Sequence, residues 1–133
     1  MNEIEIKKQA IINIDDAVLK SAEEQAYTYL HCRYITSPKY YDGWWVNIYL
    51  TSYIVNNTTK ERLALLDAIN IPIAPERYHL KTKGDSLHFT LVFPAIPKNW
   101  VAFDFIEQTE TGVGLTAKSI SRNSSGVYNV RVS

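Results

Sequence analysis

One cysteine, five glycines and five prolines in 133 residues set the first limits on this chain. Cys32 has no second cysteine to pair with, so an internal disulfide, a cysteine-built metal cluster and a C-x-x-C redox motif are all excluded. An excess of one charge sign is missing too. Fourteen Lys and Arg balance fourteen Asp and Glu, so no net field draws the chain to nucleic acid or to an anionic membrane. Lys7-Lys8 and Glu23-Glu24 are the longest like-charge runs and read as solvated surface. No apolar stretch approaches the roughly 20 residues of a membrane-crossing helix. The start, Met1-Asn2-Glu3-Ile4-Glu5, lacks the basic and apolar pattern of a signal peptide. Either the protein is cytoplasmic, or it is a mature exported domain with an added Met1.

What is present points to a globular chain. Hydrophobic residues make up 46% against 21% charged, enough apolar surface at this length for one domain with a real core. Period-2 alternation dominates, as half-buried strands require. It runs through Ile4, Ile6, Ala10, Ile12 and Ile14, and again from Ala26 to Tyr34. There Leu30, Cys32 and Tyr34 oppose Tyr29, His31, Arg33 and Ile35. The spacing predicts one continuous strand over Gly43–Asn56, a weaker one at Glu61–Leu66, and a strong one at Ser86–Phe93 that places Leu87, Phe89, Leu91 and Phe93 on one face. Val101–Ile106 groups Val101 with Phe103 and Phe105, and Val113–Ser121 and Val127–Val132 follow. Between these runs lie turn formers: Ser37-Pro38, Asp42-Gly43, Asn56-Asn57, Gly84-Asp85 and Asn123-Ser124-Ser125-Gly126. The expected fold is therefore all-β: an antiparallel, immunoglobulin-like β-sandwich of about eight short strands forming a single domain over residues 1–133. Asp15–Ala26 has good helix formers and is an even choice between one short helix and a polar excursion.

Chemistry-bearing residues are few. His31 and Cys32 are neighbours on a strand, so they point to opposite faces and cannot form a thiolate–imidazole pair. His31, His79 and His88 have no metal-ligand spacing, so no metal or other cofactor is expected. Asp104 and Glu107 are three apart and face opposite ways. Asp104 reads as solvent-facing, and Glu107, at the end of its strand, as bonding to the following turn. Gly112-Val113-Gly114 reads as a turn rather than a phosphate cradle. Asn56, Asn57 and Asn123 begin matches to the glycosylation pattern. The aromatic residues stand out: Tyr40, Tyr41, Trp44 and Trp45 surround Asp42-Gly43, and Trp100 is the third tryptophan. Exposed, these five residues are the candidate binding set, for a protein partner or for sugar rings. The competing reading sends Trp44 into the core and leaves the others shielding sheet edges.

Phe89-Thr90-Leu91-Val92-Phe93-Pro94-Ala95-Ile96-Pro97-Lys98, followed by Phe103-Asp104-Phe105-Ile106-Glu107, resembles a small β-sandwich domain of exported Bacteroidetes proteins that often precedes a thioredoxin-like domain. The likeness covers about residues 11–121 and is densest from Phe89 to Glu107. It implies a non-catalytic accessory role and an exported location. The function expected is thus an interaction domain that binds another protein through sandwich edges or loops. A carbohydrate-binding module is the alternative. A small enzyme, with His31, His79, His88, Asp104 or Glu107 converging in one pocket, is a third.

Overall fold

A computed structural model describes residues 27–36, 44–81 and 84–133. The alternating segment at Ile4–Ile14, the Asp15–Ala26 choice, and Tyr40 and Tyr41 lie outside the described residues. Ten strands are found among the described ones: β1 Tyr27–Ile35, β2 Trp44–Val46, β3 Tyr53–Asn56, β4 Arg62–Ala64, β5 Asp67–Ile69, β6 Tyr78–Leu80, β7 Ser86–Pro94, β8 Ala102–Gln108, β9 Val113–Ser121 and β10 Val127–Val132. Among the described residues there is no helix, and so none long and apolar enough to cross a membrane.

The strands form two four-stranded sheets, ordered β10-β1-β7-β5 and β4-β3-β8-β9, with a two-stranded β2-β6 piece beside them. Among the described residues every pairing is antiparallel except β1 with β10 and the single Ile48–Ile73 bridge. The fold is an all-β sandwich. Its core is made by the faces that alternation assigns inward. Leu30, Cys32 and Tyr34 of β1, Leu87, Phe89, Leu91 and Phe93 of β7, and Tyr128 and Val132 of β10 are buried against Ile54, Phe103, Phe105, Ala117 and Ile120 of the facing sheet. Phe93 meets Phe105 edge-on at 6.2 Å, and Phe103 meets Tyr128 at 5.1 Å with rings perpendicular. These are the geometries the ring quadrupole favours. Each such side chain contributes roughly 1.5–3 kcal/mol by leaving water.

Three expectations are corrected. Gly43–Asn56 is not one strand: the chain turns at Leu50-Thr51, where both the amide and the hydroxyl of Ser52 donate to the Tyr49 carbonyl. Leu50, assigned inward by its spacing, is 61% exposed as a result. Val101 is exposed rather than grouped with Phe103 and Phe105, because β8 begins only at Ala102. Trp100, expected at a surface, is fully buried. Its ring packs on Phe103, and its Nε1 donates to Glu61 Oε1 at 3.0 Å.

The asparagines of the glycosylation-like patterns work inside turns. Asn56 is buried and accepts from the Thr58 amide. Asn123 Oδ1 accepts from the Ser125 and Gly126 amides, which shapes the β9–β10 turn.

Candidate functional site

The β8–β9 pairing explains both carboxylates that the sequence singles out. Its register shifts twice, between Phe103 and Phe105 and between Ile106 and Gln108, and each time β9 holds one residue more than β8. Such a bulge takes a backbone N–H out of the ladder. At the first, Ser119 adopts a left-handed φ of 54°, and its N–H donates to Asp104 Oδ1 at 2.7 Å. At the second, the Leu115 N–H donates to Glu107 Oε1 at 2.9 Å. Asp104 is half-buried and lies 3.7 Å from Lys118 Nζ. Glu107 is buried, and its second oxygen accepts the Tyr49 N–H at 3.2 Å. One carboxylate therefore joins β8, β9 and the segment after β2. Burial pushes the Glu107 carboxyl above its ordinary value, opposed by the two amide hydrogen bonds from Leu115 and Tyr49.

Gly114 sits against this junction. A Cβ there would run into Glu107 Oε1 and come within 3.0 Å of Thr109 Cγ2. Gly114→Ala must displace the carboxylate from Leu115, and a loss of about 1–3 kcal/mol is expected, the usual cost of overpacking. Urea denaturation of the variant measures it; an unchanged midpoint would show that the junction yields freely.

Glu107 forms the floor of a cleft of about 310 Å³ whose walls include Tyr34, Trp44, Trp45, Tyr49 and Leu115. Trp44 and Trp45 stack at 5.9 Å with 19° between their planes. Trp44 is 40% exposed and Tyr78, in register with Val46 on the neighbouring strand, is 45% exposed. The Arg77 guanidinium lies 4.0 Å over the Trp45 ring, a cation–π contact. Of the five aromatic residues expected to bind, the structure brings Trp44 and Trp45 together at this cleft and removes Trp100 to the core. Nothing in the sequence pointed to Glu107 in this cleft, to Arg77 over Trp45, or to Tyr78 on the strand paired with β2. β6 is only three residues long, too short for alternation to register.

The remaining reactive groups do not gather here. The Cys32 thiol is buried and pushed up to about 12 by desolvation, so it is neither thiolate nor accessible. His79 pairs across from Trp45 in the backbone register, while His31 and His88 lie on the outer face of the β10-β1-β7-β5 sheet. Among the described residues no group of three or more His, Cys, Asp or Glu could hold a metal ion. Comparison of the chain with protein-family models, with curated proteins and with solved structures finds no match.

Proposed function

We propose that this sandwich is a non-catalytic accessory module that binds another protein or domain through the Trp44–Trp45 cleft. The observation that carries the reading is the cluster of Trp44, Trp45, Arg77 and Tyr78 at the surface of the short β2-β6 sheet. Trp, Tyr and Arg dominate protein-binding hot spots because they bring large contact area at small entropic cost. The engagement of Asp104 and Glu107 with backbone amides supports a structural rather than a proton-transferring role for both. The resemblance of Phe89–Glu107 to accessory domains supports the same reading.

The carbohydrate alternative is less well served. Sugar stacking uses rings spread side by side as a platform, whereas Trp44 and Trp45 stack on each other and Arg77 covers a face of Trp45. The two readings separate in one series. A photo-reactive residue at Tyr78 is expected to cross-link a defined partner in cells of the source organism. The double substitution Trp44→Ala with Arg77→Ala is expected to weaken binding of that purified partner at least tenfold while leaving the melting temperature within a few degrees. Retention of the partner by the double variant rejects the cleft as the interface. Saturable quenching of wild-type tryptophan fluorescence by a glycan, lost in Trp44→Ala, replaces the protein partner with a carbohydrate.

A further inference from the structure

The outer face of the β10-β1-β7-β5 sheet carries a second, chemically different surface. Alternation turns His31 and Arg33 of β1, His88 and Thr90 of β7, and Asn129 and Arg131 of β10 away from the core. The register aligns them in two rows across three strands. Arg33 is paired with Arg131 on one side and with His88 on the other; His31 is paired with Asn129 and with Thr90. These residues line a hollow of about 600 Å³, bordered by Ile35 and Ile69, and among the described residues no Asp or Glu lines it.

The local charge contrasts with a chain that is neutral overall. Among the described residues neither Arg33 nor Arg131 forms an ion pair, and all four basic side chains are exposed. Outside the hollow, Asp67 on edge strand β5 accepts the Ala68 amide at 2.8 Å, and Asp85, just before β7, accepts the Lys81 amide at 3.0 Å. Like charges placed directly opposite in a ladder destabilise a sheet. Arg33 beside Arg131 is therefore an arrangement that no described residue lining the hollow offsets and that an anion between them would. Polar groups already aimed at the hollow complete the set. His31 Nδ1 is held by Thr90 Oγ1 at 2.8 Å, which fixes the ring, and Asn129 stands on its other flank.

We propose that this face is a binding site for a tetrahedral oxyanion carried on a small organic molecule, a phosphate or sulfate ester. Two guanidinium forks supply the paired N–H donors such an anion takes. His31, His88 and Asn129 add donors around it. The hollow is larger than an inorganic anion needs, and Ile35 with Ile69, which is 41% exposed, offers an apolar rest for the body of the ester. Among the described residues this site shares no lining residue with the aromatic cleft, so either can fail without the other.

The test uses the full chain at fixed pH and low, constant ionic strength. Inorganic phosphate and inorganic sulfate are titrated separately while backbone amide NMR shifts are followed. Saturable shifts centred on His31, Arg33, His88 and Arg131 are expected. The tighter of the two ions identifies the ester class. Arg33→Gln and Arg131→Gln, both at exposed positions, are each expected to weaken binding at least tenfold, and Lys118→Gln on the opposite sheet is expected to leave it unchanged. Absence of saturation with both ions overturns the proposal. So does saturation that survives both Arg substitutions, or that Lys118→Gln weakens equally, since either would mark a diffuse charge effect.

Discussion

Trp100→Ala is expected to lower stability by about 3–5 kcal/mol, the range for deleting a large aromatic side chain from a packed core. The indole is fully buried, contacts Phe103, and belongs to the cluster that joins the two four-stranded sheets. Removing it leaves a cavity that the surrounding strands, tied by their ladders, cannot close. It also removes the donor to Glu61 Oε1, but Glu61 is exposed and water can replace that bond. Trp100→Phe should therefore lose much less, about 1–2 kcal/mol, because most of the volume stays. Chemical denaturation of the two variants gives the comparison. Equal losses would mean that the hydrogen bond, not the packing, holds this corner.

The second large effect is expected at Glu107. Glu107→Ala strips the acceptor from two amides, Tyr49 and Leu115, at a place where the β8–β9 ladder has already released one of them. Each buried donor left unpaired costs about 1–3 kcal/mol, and water entering the cleft above recovers part of it. A net loss of about 2–4 kcal/mol follows. Asp104→Ala removes the equivalent bond at the other bulge, but Ser119 is exposed and solvent supplies the acceptor, so less than about 1 kcal/mol is expected.

Glu107 also carries a pH signature. Its folded carboxyl is raised above the unfolded value of 4.5 by burial. Between the two values the native state holds more protons than the unfolded one, so stability falls as pH rises through that window. The contribution is fully present below the unfolded value and lost above the folded one. Glu107→Gln removes the titration and should flatten that part of the stability–pH curve, while keeping one amide bond through its carbonyl oxygen. A wild-type curve that rises across the same window would contradict a carboxyl destabilised by burial.

The strands that sequence reasoning located best are those whose two faces differ most. β10 begins and ends where alternation puts it, and β7 differs by one residue, because their apolar positions are mostly buried and the intervening ones mostly meet solvent. β9 also matches its expected bounds, but its two bulges break the alternation, leaving Val113 exposed and burying Ala117 and Ile120 three apart. The turn at Leu50-Thr51 was hidden for a physical reason. It contains no Gly, Pro or Asn, and its bond comes from Ser52, so hydrophobic periodicity passes through it without interruption. β5 and β6 span three residues each, less than two periods of the pattern.

At the candidate site the tryptophans were legible from their clustering. Glu107 reads in the sequence as bonding to the following turn; its partners are instead Leu115, inside β9, and Tyr49, far off in sequence. The i, i+3 spacing of Asp104 and Glu107, which first suggests paired catalytic carboxylates, follows instead the spacing of two bulges on the adjoining strand. The Arg33–Arg131 pair could not be foreseen, since it exists only through the register between β1 and β10.

That same register governs how the chain reaches its native state. β1 aligns Tyr34 with Val132, so one edge of an inner strand is completed by residues far downstream in the sequence. The β1–β7 hairpin-like pair can form while the chain is still on the ribosome, but β1 then presents an uncovered row of backbone donors and acceptors until β10 emerges. Such an edge recruits other strands, and pairings between distant parts of a chain close slowly. Nascent chains stalled before Val127 should therefore self-associate, and the emergence of β10 sets the moment at which this edge is closed to other copies of the chain.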